Sequence, residues 1–442
     1  LRTLRIIWVY CSLTARCSGL DEGKWMQLLT VEDAVRRQLE AVPFVTDEIV
    51  YETIDAAIAG QARQQYLSYA ERKELRYQVF QSMREYDVLT PLLNDKEITE
   101  IMVNRYDQIF CEKEGKIIKS GISFRSPEKY ADVIQQIVSE ANRVVNEASP
   151  IVDARLKDGS RVNVVLSPIS LDGSCLTIRK FSERPLTMKR LVELHSLPEA
   201  VAEWLSYLVK SGYNIFISGG TGSGKTTFLN ALSECIPKEE RIITIEDSAE
   251  LKLNGIANLV RLEVRNANLE GELAVSMKDL IKASLRMRPD RIIVGEVRSE
   301  EALDMLQALN TGHDGSISTG HANSAKDMLT RLETMVLMGF DMPVPALRGQ
   351  IASALEIIIH LGRLRDHSRK VLEIVEVLQM EEGEIQCQTL FQFQEEQCYH
   401  ARVQGQLLPK RDLKQVAKLK DAGYFDRYME LMERIKNETM EA

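Results

Sequence analysis

A lysine set behind a run of glycines carries the strongest chemical signal in this chain. Gly219-Gly220-Thr221-Gly222-Ser223-Gly224-Lys225-Thr226 reads G-x-x-x-x-G-K-T, the spacing of a phosphate-binding loop. Glycines let the backbone turn tightly and aim its N–H groups at phosphate oxygens. Gly220, Thr221, Gly222, Ser223 and Gly224 form the cradle, and Thr227 follows it into the binding set. Lys225 can reach the β and γ phosphates, and the Thr226 hydroxyl can ligate Mg²⁺. The expected cofactors are therefore ATP and Mg²⁺.

Three later patches bear on the same chemistry. Glu246 and Asp247 close an apolar run, where a carboxylate can orient or deprotonate an attacking water. A helix cap or a solvated loop acid is the competing reading, and the loop upstream shifts the balance toward function. Glu296 ends Ile292-Ile293-Val294-Gly295-Glu296, the place of a metal-directed carboxylate, although Asp is the usual residue there. His313 and His321 lie in a stretch of Gly, Ser and Thr that suits a γ-phosphate sensor better than a metal site. Arg155, Arg161 and Arg179 upstream, and Arg286, Arg288 and Arg298 around Glu296, are of the type that neutralises phosphate charge. For any one of them, a surface salt bridge is an equal reading by spacing alone.

The elements that must position these residues follow from periodicity. Residues 213–218 are apolar and partly β-branched, as a buried parallel strand should be, and 227–232 can open a helix. Downstream, strand and helix patterns alternate, which implies an α/β domain with a parallel sheet. Strands are expected at 241–245, 291–294, 357–361 and 371–377, and a helix at 300–309. Residues 1–85 read as a helical extension, with 71–86 so densely charged that a solvated helix face is expected. Residues 86–183 mix a strand at 98–103, a hairpin at 108–118, a helix at 127–145 and further strands, which makes a separate α+β domain. The expected organisation continues with a linker at 184–195, the α/β domain at 196–390 and a tail at 391–442.

Composition narrows the function classes. The chain has 442 residues, 44% hydrophobic and 27% charged, which is globular. A net charge of −9 argues against a surface built for nucleic acid. Seven scattered cysteines without C-x-x-C pairs favour a reducing compartment and no structural metal. No apolar run is long enough to span a bilayer. The short run 6–13 between Arg2, Arg5 and Arg16 has a faint signal-peptide shape, but a mis-assigned start or a sequence boundary is the preferred reading.

Taken together, the motifs resemble the type II/type IV secretion ATPases, and most of all their Tad/Flp pilus assembly branch. The marks are GGTGSGKTT at 219–227, TIEDSAEL at 244–251, SLRMRPDRIIVGEVR at 284–298 and TGHDGSISTGHAN at 311–323. The upstream domain is similar in PLLNDKEITEIMVN at 91–104, SPIVDARLKDGSRVN at 149–163 and LTIRKF at 176–181. One departure is 84–89, where the family usually carries a glycine-rich turn.

The resemblance implies a RecA-like P-loop domain preceded by a smaller, PAS-like α+β domain and assembled as a homo-hexamer. It implies Glu246 as general base, Glu296 as support for metal and water, and His321 as γ-phosphate sensor. It also implies that Arg155, Arg161 and Arg179 reach over the nucleotide. The implied partners are inner-membrane platform proteins, with no direct nucleic acid, and the implied location is cytoplasmic, at the inner face of the membrane. A DNA-translocating ATPase is the alternative.

Overall fold

The computed structural model describes residues 22–40, 42, 44–63, 66–113, 115–181, 186–265, 274–396 and 403–441. The signal-like run 6–13 and the first two residues of the expected linker, 184 and 185, lie outside the described residues. Two compact units, Leu1–Ser182 and Glu183–Ala442, make up the chain.

Unit 1 opens with three helices, α1 (Glu22–Leu39), α2 (Asp47–Ala62) and α3 (Tyr69–Arg84). Thr46 and Ser68 cap α2 and α3, accepting hydrogen bonds from first-turn N–H groups. Val31, Val35, Val50, Ile54, Ile58, Leu75 and Val79 form their shared core. A short helix α4 (Leu89–Asn94) leads to strands β1 (Ile98–Arg105), β2 (Gln108–Lys113) and β3 (Lys116–Lys119). Helix α5 (Pro127–Glu140) and strands β4 (Ile151–Arg155), β5 (Arg161–Val165) and β6 (Cys175–Arg179) complete the unit. The six strands form one antiparallel sheet in the order β3-β2-β1-β6-β5-β4. Tyr130, Val133, Ile134, Ile137 and Val138 recur at helical spacing along α5 and share one core with Ile101, Val103, Val162 and Ile178 of the sheet.

The helical segment is not a free extension. Glu32 on α1 is 2% exposed and is held by both Nη atoms of Arg125, with Nη2 at 2.7 Å. Ser82 of α3 joins the same cluster. Removing one partner would leave the other charge buried and uncompensated, at a typical cost of about 3–5 kcal/mol. At the departure from the family pattern, Asp87 takes a left-handed φ of 52°, a conformation that a glycine would adopt without strain.

Unit 2 begins with α6 (Met188–Glu193) and α7 (Glu199–Lys210). Helix α6 occupies the middle of the expected linker, is capped by Thr187 and buries Leu191. The segments that follow are β7 (Ile215–Gly219), α8 (Lys225–Ser233), β8 (Ile242–Glu246), β9 (Leu259–Glu263), α9 (Met277–Ser284) and β10 (Arg291–Val297). Next come α10 (Glu301–Leu309), β11 (Ile317–Gly320), α11 (Ala325–Gly339) and α12 (Val344–Ala354). The unit ends with β12 (Ile357–Arg363), β13 (Arg369–Glu381), β14 (Glu384–Glu395), β15 (Gly405–Pro409), α13 (Ala417–Asp421) and α14 (Phe425–Glu441).

Its nine strands form one sheet in the order β15-β14-β13-β12-β7-β11-β10-β8-β9. From β12 to β9 every neighbour is parallel, and from β12 to β15 every neighbour is antiparallel. This is a RecA-like α/β core with an antiparallel extension. Strands β7 and β8 are buried at every residue because helices cover both faces. Ile215 and Ile217 pack into the core on one face, and Phe216 into the core on the other.

The polar segment after 390 does not form a separate tail. Strand β14 runs through that boundary, and Tyr428, Leu431, Met432 and Ile435 of α14 enter the same core as Trp204 and Phe391. Fully buried Glu376 accepts N–H bonds from Lys414 at 3.0 Å and Gln415 at 2.8 Å, which pins the chain as it returns to the sheet. Composition alone hides this, because α14 needs only one apolar stripe to dock.

Candidate functional site

Four neighbouring strands deliver the candidate residues to one edge of the unit 2 sheet. In spatial order they are β7, β11, β10 and β8, all parallel. The glycine loop follows β7, His321 follows β11, Glu296 lies near the end of β10, and Glu246 ends β8. The carboxyl ends of parallel strands form the ligand crevice of such sheets.

The loop itself is built as its sequence requires. Gly222 and Gly224 adopt φ values of 72° and 94°, and Lys225 begins α8. The helix N-terminus therefore presents its N–H groups and positive dipole end to the crevice. Lys225 is 8% exposed, and its Nζ donates to the carbonyls of Gly219 and Gly220, both at 3.1 Å. Among the described residues the buried Oγ of Ser223 has no hydrogen-bond partner, which leaves its hydroxyl able to donate to a phosphate oxygen.

His321 stands between the lysine and the acid. Its Nδ1 lies 3.3 Å from Lys225 Nζ, and its Nε2 lies 2.7 Å from Glu296 Oε1. Burial and the lysine beside it hold its pKa below the usual histidine value, against the pull of Glu296. The neutral ring can then accept from Lys225 at Nδ1, while Nε2 stands in close contact with Glu296 Oε1. Burial also lowers the pKa of Lys225. Arg298 takes the other Glu296 oxygen at 2.8 Å and approaches Asp247 at 3.5 Å. The ladder shifts between Val294 and Val297, and such a bulge re-aims the side chain it carries, here Glu296.

Glu246 is the buried acid of the group. It is 3% exposed, and Oε2 accepts N–H bonds from Glu250 at 2.7 Å and Leu251 at 2.9 Å. Burial outweighs those bonds and pushes its pKa up to about 6. Among the described residues its Oε1 has no hydrogen-bond partner, so that oxygen is able to accept from a water. Thr226 and Glu296 offer only oxygen donors, so their chemistry fits Mg²⁺ carried in with nucleotide phosphates.

Arg155, Arg161 and Arg179 lie in unit 1. The sheet register pairs Arg155 with Arg161 and Arg161 with Arg179, so the three occupy one row across β4, β5 and β6. Glu100 of β1 continues the row beside Arg179. Arg286 and Arg288 do not join the Glu296 cluster. Arg286 donates to the Lys282 carbonyl, and Arg288 sits at a left-handed φ of 56°. His313 bonds the Ala308 carbonyl at 3.1 Å and serves its own turn.

The family profile described as Type II/IV secretion system protein matches residues 82–423. The chain belongs to this family. It is 34% identical over 310 residues to a Mycobacterium tuberculosis protein provisionally named for conjugal transfer, covering 69% of this chain and 87% of that one. It is also 34% identical over 312 residues to the type IV secretion system protein PtlH of Bordetella pertussis, covering 65% and 92%. The VirB11 ATPase of the Brucella suis type IV secretion system shares 28% identity over 65% of this chain and 94% of that one, with a TM-score of 0.36.

Around the site, this secretion-family chain adds residues that sequence reading passed over. Buried His360 on β12 lies 2.9 Å from the Ser218 hydroxyl, directly before the loop. Gly295 leaves room for Glu246, because a Cβ there would sit 3.0 Å from the Glu246 Cγ. The glycine before the acid was a signal in the sequence, whereas the His360 pair depends on the β7–β12 register and had none. Among the described residues, no helix is long and apolar enough to cross a membrane.

Proposed function

We propose that this chain is an ATP-hydrolysing motor subunit that powers pilus assembly, in the manner of the Tad/Flp systems, or type II/IV protein secretion. The observation that carries the reading is the convergence of Lys225, His321, Glu296 and Glu246 at the ends of four adjacent parallel strands. ATP draws Lys225 from the Gly219 and Gly220 carbonyls onto the β and γ phosphates. Glu246 accepts a proton from the attacking water at its unpartnered Oε1. When bound, Mg²⁺ would be held by the Thr226 hydroxyl and, through water, by Glu296, and would neutralise phosphate charge. His321 reads the γ-phosphate through the lysine it faces, and the arginine row of unit 1, with Arg179 foremost, neutralises charge in the transition state.

Loss of the γ-phosphate changes which state of the protein nucleotide favours, and that difference drives a mechanical step. A homo-hexamer in the cytoplasm, docked on an inner-membrane platform, is the assembly in which this step would act. The test is phosphate release by the intact chain and by Lys225→Ala. Turnover should be lost in the variant while it stays folded and of unchanged oligomeric size, and retained turnover would refute the site.

The Mycobacterium tuberculosis relative, named for conjugal transfer, favours a second reading as a DNA-moving ATPase. It requires severalfold stimulation of turnover by DNA that falls steeply with salt. The net charge of −9 weighs against it.

A further inference from the structure

The hairpin between β12 and β13 packs against the phosphate loop. At its base, a Cβ on Gly219 would lie 2.5 Å from the Leu361 carbonyl oxygen, so the two backbones meet with no space for a side chain. At its tip, Arg363 and Arg369 face each other in register. The Nε of Arg369 donates to the Gly222 carbonyl at 2.8 Å. The Arg369 Cδ lies 3.3 Å from where a Cβ on Gly224 would stand. Arg363 reaches within 3.7 Å of the same point on Gly222 and bonds His367 Nδ1 at 3.0 Å. The hairpin is itself braced, since Asp366 accepts from Ser368 and from the Val403 N–H.

The loop thus has two holds. Lys225 binds its carbonyls from inside, and that bond must break when phosphate arrives. Arg369 binds the Gly222 carbonyl, and a carbonyl oxygen, being an acceptor, has no place among the donors that cradle a phosphate. Turning a carbonyl outward is what leaves neighbouring N–H groups facing inward to an anion.

We propose that Arg369 is a positioning residue of the nucleotide site. Its bond to the Gly222 carbonyl fixes the phosphate loop in the binding conformation before nucleotide enters. The proposal rests on the reading of this loop as a nucleotide site. Preorganisation of this kind sets affinity and leaves the chemical step nearly unchanged.

The side chain in Arg369→Gln carries an N–H donor at the same bond distance from Cα as the arginine Nε, without the charge. That allows the bond and the charge to be separated. ADP affinity and steady-state turnover of the full chain are measured for wild type, Lys225→Ala, Arg369→Ala and Arg369→Gln, with circular dichroism and oligomeric size as checks of folding. Arg369→Ala should weaken ADP about tenfold and raise KM for ATP by a similar factor, the size expected for a charge-assisted hydrogen bond. Its kcat should stay within about twofold, and Arg369→Gln should restore affinity to near wild type. If Arg369→Ala binds ADP as wild type does while Lys225→Ala does not, the positioning role is refuted and the nucleotide site stands. If Arg369→Gln loses as much as Arg369→Ala, the charge acts and the bond does not, which also overturns the proposal. If wild type itself binds no nucleotide, the underlying reading fails.

Discussion

Nδ1 of His321 lies 3.3 Å from Nζ of Lys225, and Nε2 of the same ring lies 2.7 Å from Oε1 of Glu296. A single imidazole therefore links the phosphate-binding lysine to the acid on the neighbouring strand. The order of contacts repeats the order of strands β7, β11 and β10. Lys225 makes its remaining bonds to loop carbonyls, so phosphate competes with weak neutral acceptors and not with a carboxylate. A shift of Lys225 toward phosphate would change what Nδ1 meets, as the proposed sensor role of His321 requires.

His321→Ala should therefore reduce turnover by about a hundredfold, the usual effect of removing one preorganised polar group from a transition-state site. ADP affinity should remain within about threefold, because the loop and Lys225 stay in place. Phosphate-release kinetics and ADP titration on the same preparation decide this, and unchanged turnover would remove His321 from the site.

Glu246 gives the pH dependence. As a general base it works only when ionised, and its pKa of about 6 places the rise of turnover through that pH, with a plateau above. The stability effect has the opposite sign. The folded pKa lies above the ordinary value of 4.5, so the folded state holds the proton more tightly and Glu246 favours folding less as pH rises through 4.5 to about 6. Glu246→Gln should then lose turnover yet be more stable than wild type at pH 7.5, by about 2 kcal/mol from the size of the shift. The gain should shrink toward zero near pH 4.5. Denaturant titrations at several pH values measure it.

Much of this was legible in the residues. The loop, Glu246, Glu296 and His321 announce themselves because phosphate chemistry demands particular types at fixed spacing, and the apolar runs before them read as buried strands. The boundaries were less legible. Met188 to Glu193 looked like linker, yet one buried leucine is enough to dock a short helix. Residues after 390 looked like a polar tail, yet Tyr428 and Ile435 complete the core. Contacts set by register, such as Ser218 with His360 or Arg369 with Gly222, leave no trace in local sequence because their partners lie 142 and 147 residues apart.

Gly295 offers a test of positioning within the site. Its missing side chain is what admits Glu246, since a Cβ would come within 3.0 Å of the Glu246 Cγ and 3.6 Å of the Ile245 carbonyl oxygen. Gly295→Ala should displace the base by a few tenths of an ångström and lower kcat severalfold, short of the roughly hundredfold that a 1 Å misplacement causes. The melting temperature should fall only slightly. A variant with full turnover would show that Glu246 does not act from this position.

The arginine row makes the sharpest demand on the proposed reaction. Arg155 ends β4, Arg161 begins β5 and Arg179 ends β6, and the register sets them side by side at one end of the unit 1 sheet. Glu100 ends the row beside Arg179, so one carboxylate already faces the guanidinium groups. A guanidinium that meets phosphate mainly in the transition state should affect kcat more than binding. Arg179→Ala should lower turnover at least about tenfold while ADP affinity stays within about twofold, since ADP lacks the group that the row would neutralise. Arg179→Lys should recover only part of the loss, because a point charge does not reproduce a planar two-pronged contact. Equal losses of kcat and ADP affinity would make Arg179 a ground-state binding residue, and no loss of either would place the row outside the reaction.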